Sequence, residues 1–215
     1  MSRRMRMAIA GLGVAALGAM TMPMGAAQAA AFGASWQLNE KTGAAVDSSG
    51  NGNNGTLHGG IIRTGSGYHF DGSSGYVSVP NSASLNPGSG SITLTVKFTL
   101  DAKPASGKDY DLVRKGLAGT KGGEYKMEVL SSGKALCRFS GTAGVTVTGG
   151  TNLGTGTHTV KCVKTSSSVK LIVDGSTKAS SNATVGPISN SSAVDLGAKP
   201  GDDWTKGLID FITIT

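Results

Sequence analysis

Charge is scarce in this chain of 215 residues: only 15% of the side chains are Asp, Glu, Lys or Arg. A disordered chain would carry far more, with fewer Val, Ile and Leu. Glutamate is rarest of all, at Glu40, Glu124 and Glu128, so any chemistry built on paired glutamates has one local pair to draw on. Cysteines number two and prolines six. The 34 glycines do not recur at every third position, which excludes a collagen. No block of Lys or Arg survives beyond the first residues, so a nucleic-acid-binding face is not expected.

What is present begins with an export signal. Arg3, Arg4 and Arg6 precede a roughly 16-residue apolar run from position 7, short of the about 20 residues that span a bilayer. Ala27-Gln28-Ala29 then supplies the small residues that a signal peptidase needs. This pattern predicts a secretory signal peptide over 1–29 and one mature domain over 30–215, exported and without a membrane span after processing. An uncut N-terminal anchor is the alternative, and the arginine pair leaves the Sec and twin-arginine routes both open. The mature part holds 17 basic and 13 acidic residues, a net charge of +4. In an oxidising compartment Cys137 and Cys162 are expected to form a disulfide.

The mature part reads as strands. Ser91 to Leu100 alternates, with Ile92, Leu94, Val96 and Phe98 on one face. Thr157 to Lys164 places Val160 and Cys162 on one side, and Val169 to Val173 ends at the turn dipeptide Asp174-Gly175. Leu208 to Thr215 closes the chain, and shorter candidates lie near 34–38, 67–70, 75–79, 110–114, 124–130, 134–139 and 193–198. Nothing of helical period exceeds two turns. The pattern predicts an all-β fold, an antiparallel sandwich or barrel, in which the disulfide ties two strands side by side or across the sandwich.

Several segments together resemble the laminin-G-like domains of the concanavalin A-like lectin/glucanase superfamily. They are Trp36 to Glu40, Asp47 to Thr56, Phe70 to Pro80, the strand after Ser91, His158 to Val163, Val169 to Gly175 and Gly207 to Asp210. The resemblance implies a jelly-roll sandwich, and a secreted stand-alone module of bacterial type. Two positions depart from the usual pattern: Thr157 precedes His158 where Trp is common, and Phe211 follows Asp210 where Glu is common.

The family includes lectins, adhesion modules and glycosidases, so the site must decide the function. Related glucanases carry Glu, Asp and Glu at alternate positions of one strand. Here Glu124 and Glu128 match the outer pair, but Lys126 stands at the centre, and a cation there opposes acid/base work. These three are expected to form a solvated face with cross-strand charge pairing. His58, His69 and His158 show no zinc spacing, and His158 is expected to be packed or hydrogen-bonded.

Asp47 opens a loop dense in oxygen donors, and the family places structural calcium between such a loop and an Asp of the final strand. Asp210 is the matching position, expected to point inward with Leu208, Ile212 and Ile214. No cofactor is required, but structural calcium at Asp47 and Asp210 is one expectation; turn capping is the other. For a glycan, Trp36, Phe70, Tyr76, Phe98, Phe139 and Phe211 are expected in the core, leaving Tyr110, Tyr125 and Trp204 free. Trp204 follows Asp202 and Asp203, so this loop is the candidate ligand site. The expected function is a secreted, non-catalytic, monomeric recognition module for a glycan or a cell-surface protein. The alternatives are a glycoside hydrolase or lyase using Glu124 and Glu128, and a protein–protein module without a small ligand.

Overall fold

A computed structural model describes residues 31–215; the signal-peptide expectation over 1–29 lies outside the described residues. Fifteen strands, numbered along the chain, form two antiparallel sheets among the described residues. One sheet has eight strands: β1 (Ala34–Trp36), β3 (Ile61–Arg63), β4 (Tyr68–Asp71), β6 (Ile92–Leu100), β11 (Thr157–Lys164), β12 (Val169–Val173), β13 (Ser176–Ser181) and β15 (Lys206–Ile214). Its order is β13-β12-β11-β6-β15-β4-β3, with β1 also pairing β15.

The second sheet has seven strands: β2 (Thr56–His58), β5 (Tyr76–Val79), β7 (Asp109–Lys115), β8 (Glu124–Leu130), β9 (Ala135–Ser140), β10 (Gly144–Gly149) and β14 (Val194–Leu196). Its order is β10-β9-β8-β7-β14-β5-β2. The described residues hold no helix beyond a single 3-10 turn at Ala83–Leu85, and none long and apolar enough to cross a membrane. The expected all-β jelly-roll sandwich is the observed one.

The period-two reading explains the core. Ile92, Leu94, Val96 and Phe98 of β6 are all buried, as are Tyr125, Met127 and Val129 of β8 in the other sheet. Cys137 of β9 and Cys162 of β11 are bonded, with Cα atoms 5.5 Å apart, so the disulfide joins the two sheets through the core. Trp36 is buried and its indole N–H donates to the Asn53 carbonyl at 2.7 Å.

A bulge in β15 corrects one expectation. The pairing with β6 shifts between Ile209 and Phe211, so the inward alternation moves from Ile209 to Ile212 and Ile214. Asp210 is thereby turned to the outer face, where its Oδ2 lies 2.8 Å from Lys97 Nζ. Phe211, expected in the core, is only half-buried for the same reason.

Candidate functional site

The outer face of the seven-stranded sheet carries most of the buried charge of the described residues. In β8 the inward residues are Tyr125, Met127 and Val129, so Glu124, Lys126 and Glu128 share the opposite face, as their spacing predicts. β7 pairs with β8 through Asp111 opposite Glu128 and, past a bulge, Arg114 opposite Lys126. β9 sets Arg138 opposite Lys126 on the other side. Three neighbouring strands therefore place acids and bases alternately across one surface.

The expected cross-strand charge pairing is present on that surface, between Arg138 and Glu124, but the two glutamates are buried rather than solvated, with Lys126 half-buried. Glu124 and Glu128 are each 2% exposed and Asp111 is 0% exposed. The loop residues Leu117, Ala118, Lys199 and Asp203 rise beside it, and the strands and loops enclose a cleft of about 400 Å³. A pocket of about 320 Å³ continues past Arg114, Leu117 and Lys199 toward Asp195. Another, of about 230 Å³, continues past Asp109 and Asp203 to Tyr110, Asp202 and Trp204. These two pockets each share lining residues with the cleft, and the three are together called the groove.

The cleft is internally paired but incompletely so. Arg138 Nε donates to Glu124 Oε1 at 2.5 Å, and Lys126 pairs with Glu128. Arg114 Nη1 donates to Asp111 Oδ2 at 2.5 Å. Glu124 Oε2, Asp111 Oδ1 and Asp109 Oδ1 are buried and have no hydrogen-bond partner. Arg114 Nη2 lies 4.0 Å from Glu124 Oε2, too far for a hydrogen bond. Burial pushes Asp111 well above the usual carboxylate range, against the pull of Arg114 and with the help of Glu128. Asp109 is raised to about 6, first by burial, then by the neighbouring carboxylates of Asp203 and Glu128.

The structure brings Asp202, Asp203 and Trp204 together around one end of this groove, with Tyr110 beside them. Both carboxylates are shared with lysines: Lys199 pairs with Asp203 and, at 3.3 Å, with Asp202, which also meets Lys108 at 3.0 Å. The hydrogen bond from Lys108 leads the causes that hold Asp202 down at about 2. The Trp204 ring lies 5.9 Å from Tyr76, tilted by 55°, and Tyr76 stacks on His58 at 4.5 Å. Tyr76 was expected in the core, but Val77 and Val79 take the inward positions of β5 and leave Tyr76 half-buried on the outside. Tyr125, expected to be free, is fully buried with its hydroxyl donating to the Leu85 carbonyl at 3.1 Å.

Asp47 and Asp210 lie away from this cleft lining. Asp47 Oδ1 accepts the backbone N–H groups of Ser35 and Ser49, and Oδ2 that of Asn53, each at 2.9 Å. These bonds outweigh the opposing burial and lower its pKa. Asp210 is ion-paired with Lys97. Among the described residues no group of three or more His, Cys, Asp or Glu is arranged to hold a metal ion. His158 is hydrogen-bonded as expected, to Asp174 at 2.7 Å and to the Leu153 carbonyl at 2.5 Å.

Asp109, Asp111, Arg114, Arg138 and Lys199 were not singled out from the sequence. The signal was there in part: Asp109 and Asp111 alternate in one strand as Glu124, Lys126 and Glu128 do in the next. Arg114 breaks that alternation because the bulge cannot be read from the sequence.

A laminin G family profile, within the concanavalin A-like lectin/glucanases superfamily, matches residues 71–215. The chain belongs to this superfamily. No curated protein matches the sequence. Among solved structures, this superfamily member is similar to the binding domain of botulinum neurotoxin DC in complex with SialylT, at 12% identity and a TM-score of 0.66. The match covers 84% of this chain and 47% of that one. It is also similar to the binding domain of Paraclostridial Mosquitocidal Protein 1, at 14% identity and a TM-score of 0.64, covering 85% and 48%. A Trypanosoma rangeli sialidase matches at 16% identity and a TM-score of 0.63, covering 84% and 30%. The chain thus spans about half or less of these proteins, and the likeness is one of fold. That fold serves binding domains and also occurs within an enzyme.

Proposed function

We propose that the protein is an exported, non-catalytic recognition module that binds a glycan through the outer face of the seven-stranded sheet. The observation that carries this reading is the groove itself: a floor of charged groups, with the half-buried Trp204 and Tyr110 lining one end. Sugars present hydroxyls to such a floor and apolar ring faces to such aromatics. The binding domains among the similar structures support it by analogy of fold. Export rests on the N-terminal sequence and agrees with the disulfide.

A hydrolase using Glu124 and Glu128 is the second reading, favoured by their shared face on β8. Each is ion-paired, with Arg138 and Lys126, an arrangement that balances charge rather than one that passes a proton. The deciding experiment incubates the chain from Ala30 with a panel of soluble and insoluble polysaccharides, with calcium and with EDTA. Retention on one sugar class without release of reducing ends supports a binding module. Turnover that is lost in Glu128→Gln establishes the hydrolase instead.

A further inference from the structure

The register of the seven-stranded sheet lays its outward charges in stripes. Arg114 of β7 is the partner of Lys126 of β8, and Lys126 is that of Arg138 of β9, so three cations stand side by side across three strands. Thr146 of β10 continues the row, and its hydroxyl accepts from Arg138 Nη1 at 3.1 Å. Like charges directly opposite one another in a sheet are destabilising. Carboxylates flank the row: Asp111 and Glu128 are partners on one side, and Glu124 lies on the other.

The two signs are not presented equally. The side chains of Lys126 and Arg138 are 18% and 32% exposed, whereas the Glu128 and Glu124 with which they pair are 3% and 2% exposed. Lys199 is 32% exposed in the same cleft, against 12% for Asp203. Asp109 and Asp203 also line the pocket of Trp204, but Lys126 and Arg138 line the cleft alone. Donors remain on both cations. A guanidinium has five N–H groups and an ammonium three. Arg138 places one on Glu124 and one on Thr146, and Lys126 places one on Glu128. A ligand entering the cleft therefore meets N–H donors on cations, with the carboxylates buried beneath them.

We infer that the cleft selects acidic glycans and seats a carboxylate or sulfate of the sugar chain on Lys126 and Arg138. Such a group accepts charge-assisted hydrogen bonds from the spare donors and offsets the repulsion within the row. Lys199 supplies a further cation from the loop. The net charge of +4 over residues 30–215 favours the approach of such a ligand, and the row decides where it lodges.

This inference rests on the glycan-binding reading and names the ligand class for the same site. The test titrates the chain from Ala30 with a galacturonic acid oligomer, its neutral methyl ester and a sulfated galactose oligomer, at pH 7 and about 0.15 M salt, where distant surface charges are screened. At least one acidic oligomer is expected to bind about tenfold tighter than the methyl ester, and the tighter of the two names the group seated. Arg138→Gln should remove most of that preference. Lys161→Gln, which deletes an exposed cation from β11 of the other sheet, should keep it. Lys199→Gln, whose partner carboxylates are partly exposed, replaces Arg138→Gln if that variant unfolds. Equal binding of acidic and neutral forms overturns the selectivity and leaves the recognition module standing, as does a preference that Lys161→Gln weakens equally. Binding to none of the three, nor to any sugar of the wider polysaccharide panel, overturns both.

Discussion

Arg114 Nη1 lies 2.5 Å from Asp111 Oδ2 although the two residues are three apart in one strand, a separation that puts side chains on opposite faces of a regular strand. The β-bulge at Leu112 removes the contradiction. It adds one residue to β7 against β8, so Asp111 and Arg114 emerge on the same outer face. Arg114 then reaches toward Glu124 as well, at 4.0 Å, and becomes the cation around which two buried carboxylates are organised.

Replacing that cation should therefore be costly. Arg114→Met leaves Asp111 and Glu124 buried with less compensation, and a loss of about 3 kcal/mol in stability is expected by denaturant unfolding. A loss below about 1 kcal/mol would show that the pair is not what holds the cleft floor together.

The disulfide between β9 and β11 joins the two sheets. Reduction, or replacement of both cysteines by alanine, should cost about 3 kcal/mol on the chain-entropy estimate and lower the melting temperature by about 5–10 °C. An unchanged melting temperature in dithiothreitol, with reduction verified by thiol titration, contradicts this.

Asp109 sets a pH dependence of defined sign. Its folded pKa of about 6 lies above the ordinary value of 3.8, so between those two pH values the folded state holds more proton than the unfolded one. Stability from this group falls as pH rises through that window, and the penalty is fully present above it. Asp203, Glu128 and Lys126 face the same carboxyl and set the shift together with burial. Asp109→Asn should therefore stabilise at pH 7.5, by about 1 kcal/mol after allowance for solvent screening, and should do nothing at pH 3.5. Melting curves at the two pH values check it; equal gain at both contradicts the titration.

Trp204 separates binding from folding. Its ring packs on Tyr76 at the mouth of the groove rather than in the core. Trp204→Ala should lower the melting temperature by only about 3 °C, consistent with loss of one partly exposed aromatic contact, while weakening glycan retention about tenfold. Retention equal to wild type would remove the loop of Asp202 and Asp203 from the site.

Much of the fold was legible from alternation alone. β6, β8, β11 and β12 carry apolar residues at every second position, and the sheet buries that face. β2, β3, β10 and β13 escaped notice: β13 is Ser, Thr and Lys with one half-buried Ala179, and β10 has only Val145 and Val147 as apolar residues, between two glycines. Register was not legible. Two bulges, at Leu112 and near Asp210, shift the phase within strands that read as regular, and they misplace Asp210 and conceal the role of Arg114. Burial of Glu124 and Glu128 was likewise hidden, because the cleft around them is lined by three strands and in part by Lys199 and Asp203, far away in the chain.

The location of the site is tested most directly by assigning the backbone amides and titrating in the oligosaccharide that the panel retains. Shifts concentrated in β7, β8, β9 and the loops around Leu117 and Asp203 are the predicted result. Shifts confined to the eight-stranded sheet or to the sandwich edges, or no shifts with any sugar, contradict recognition through this cleft.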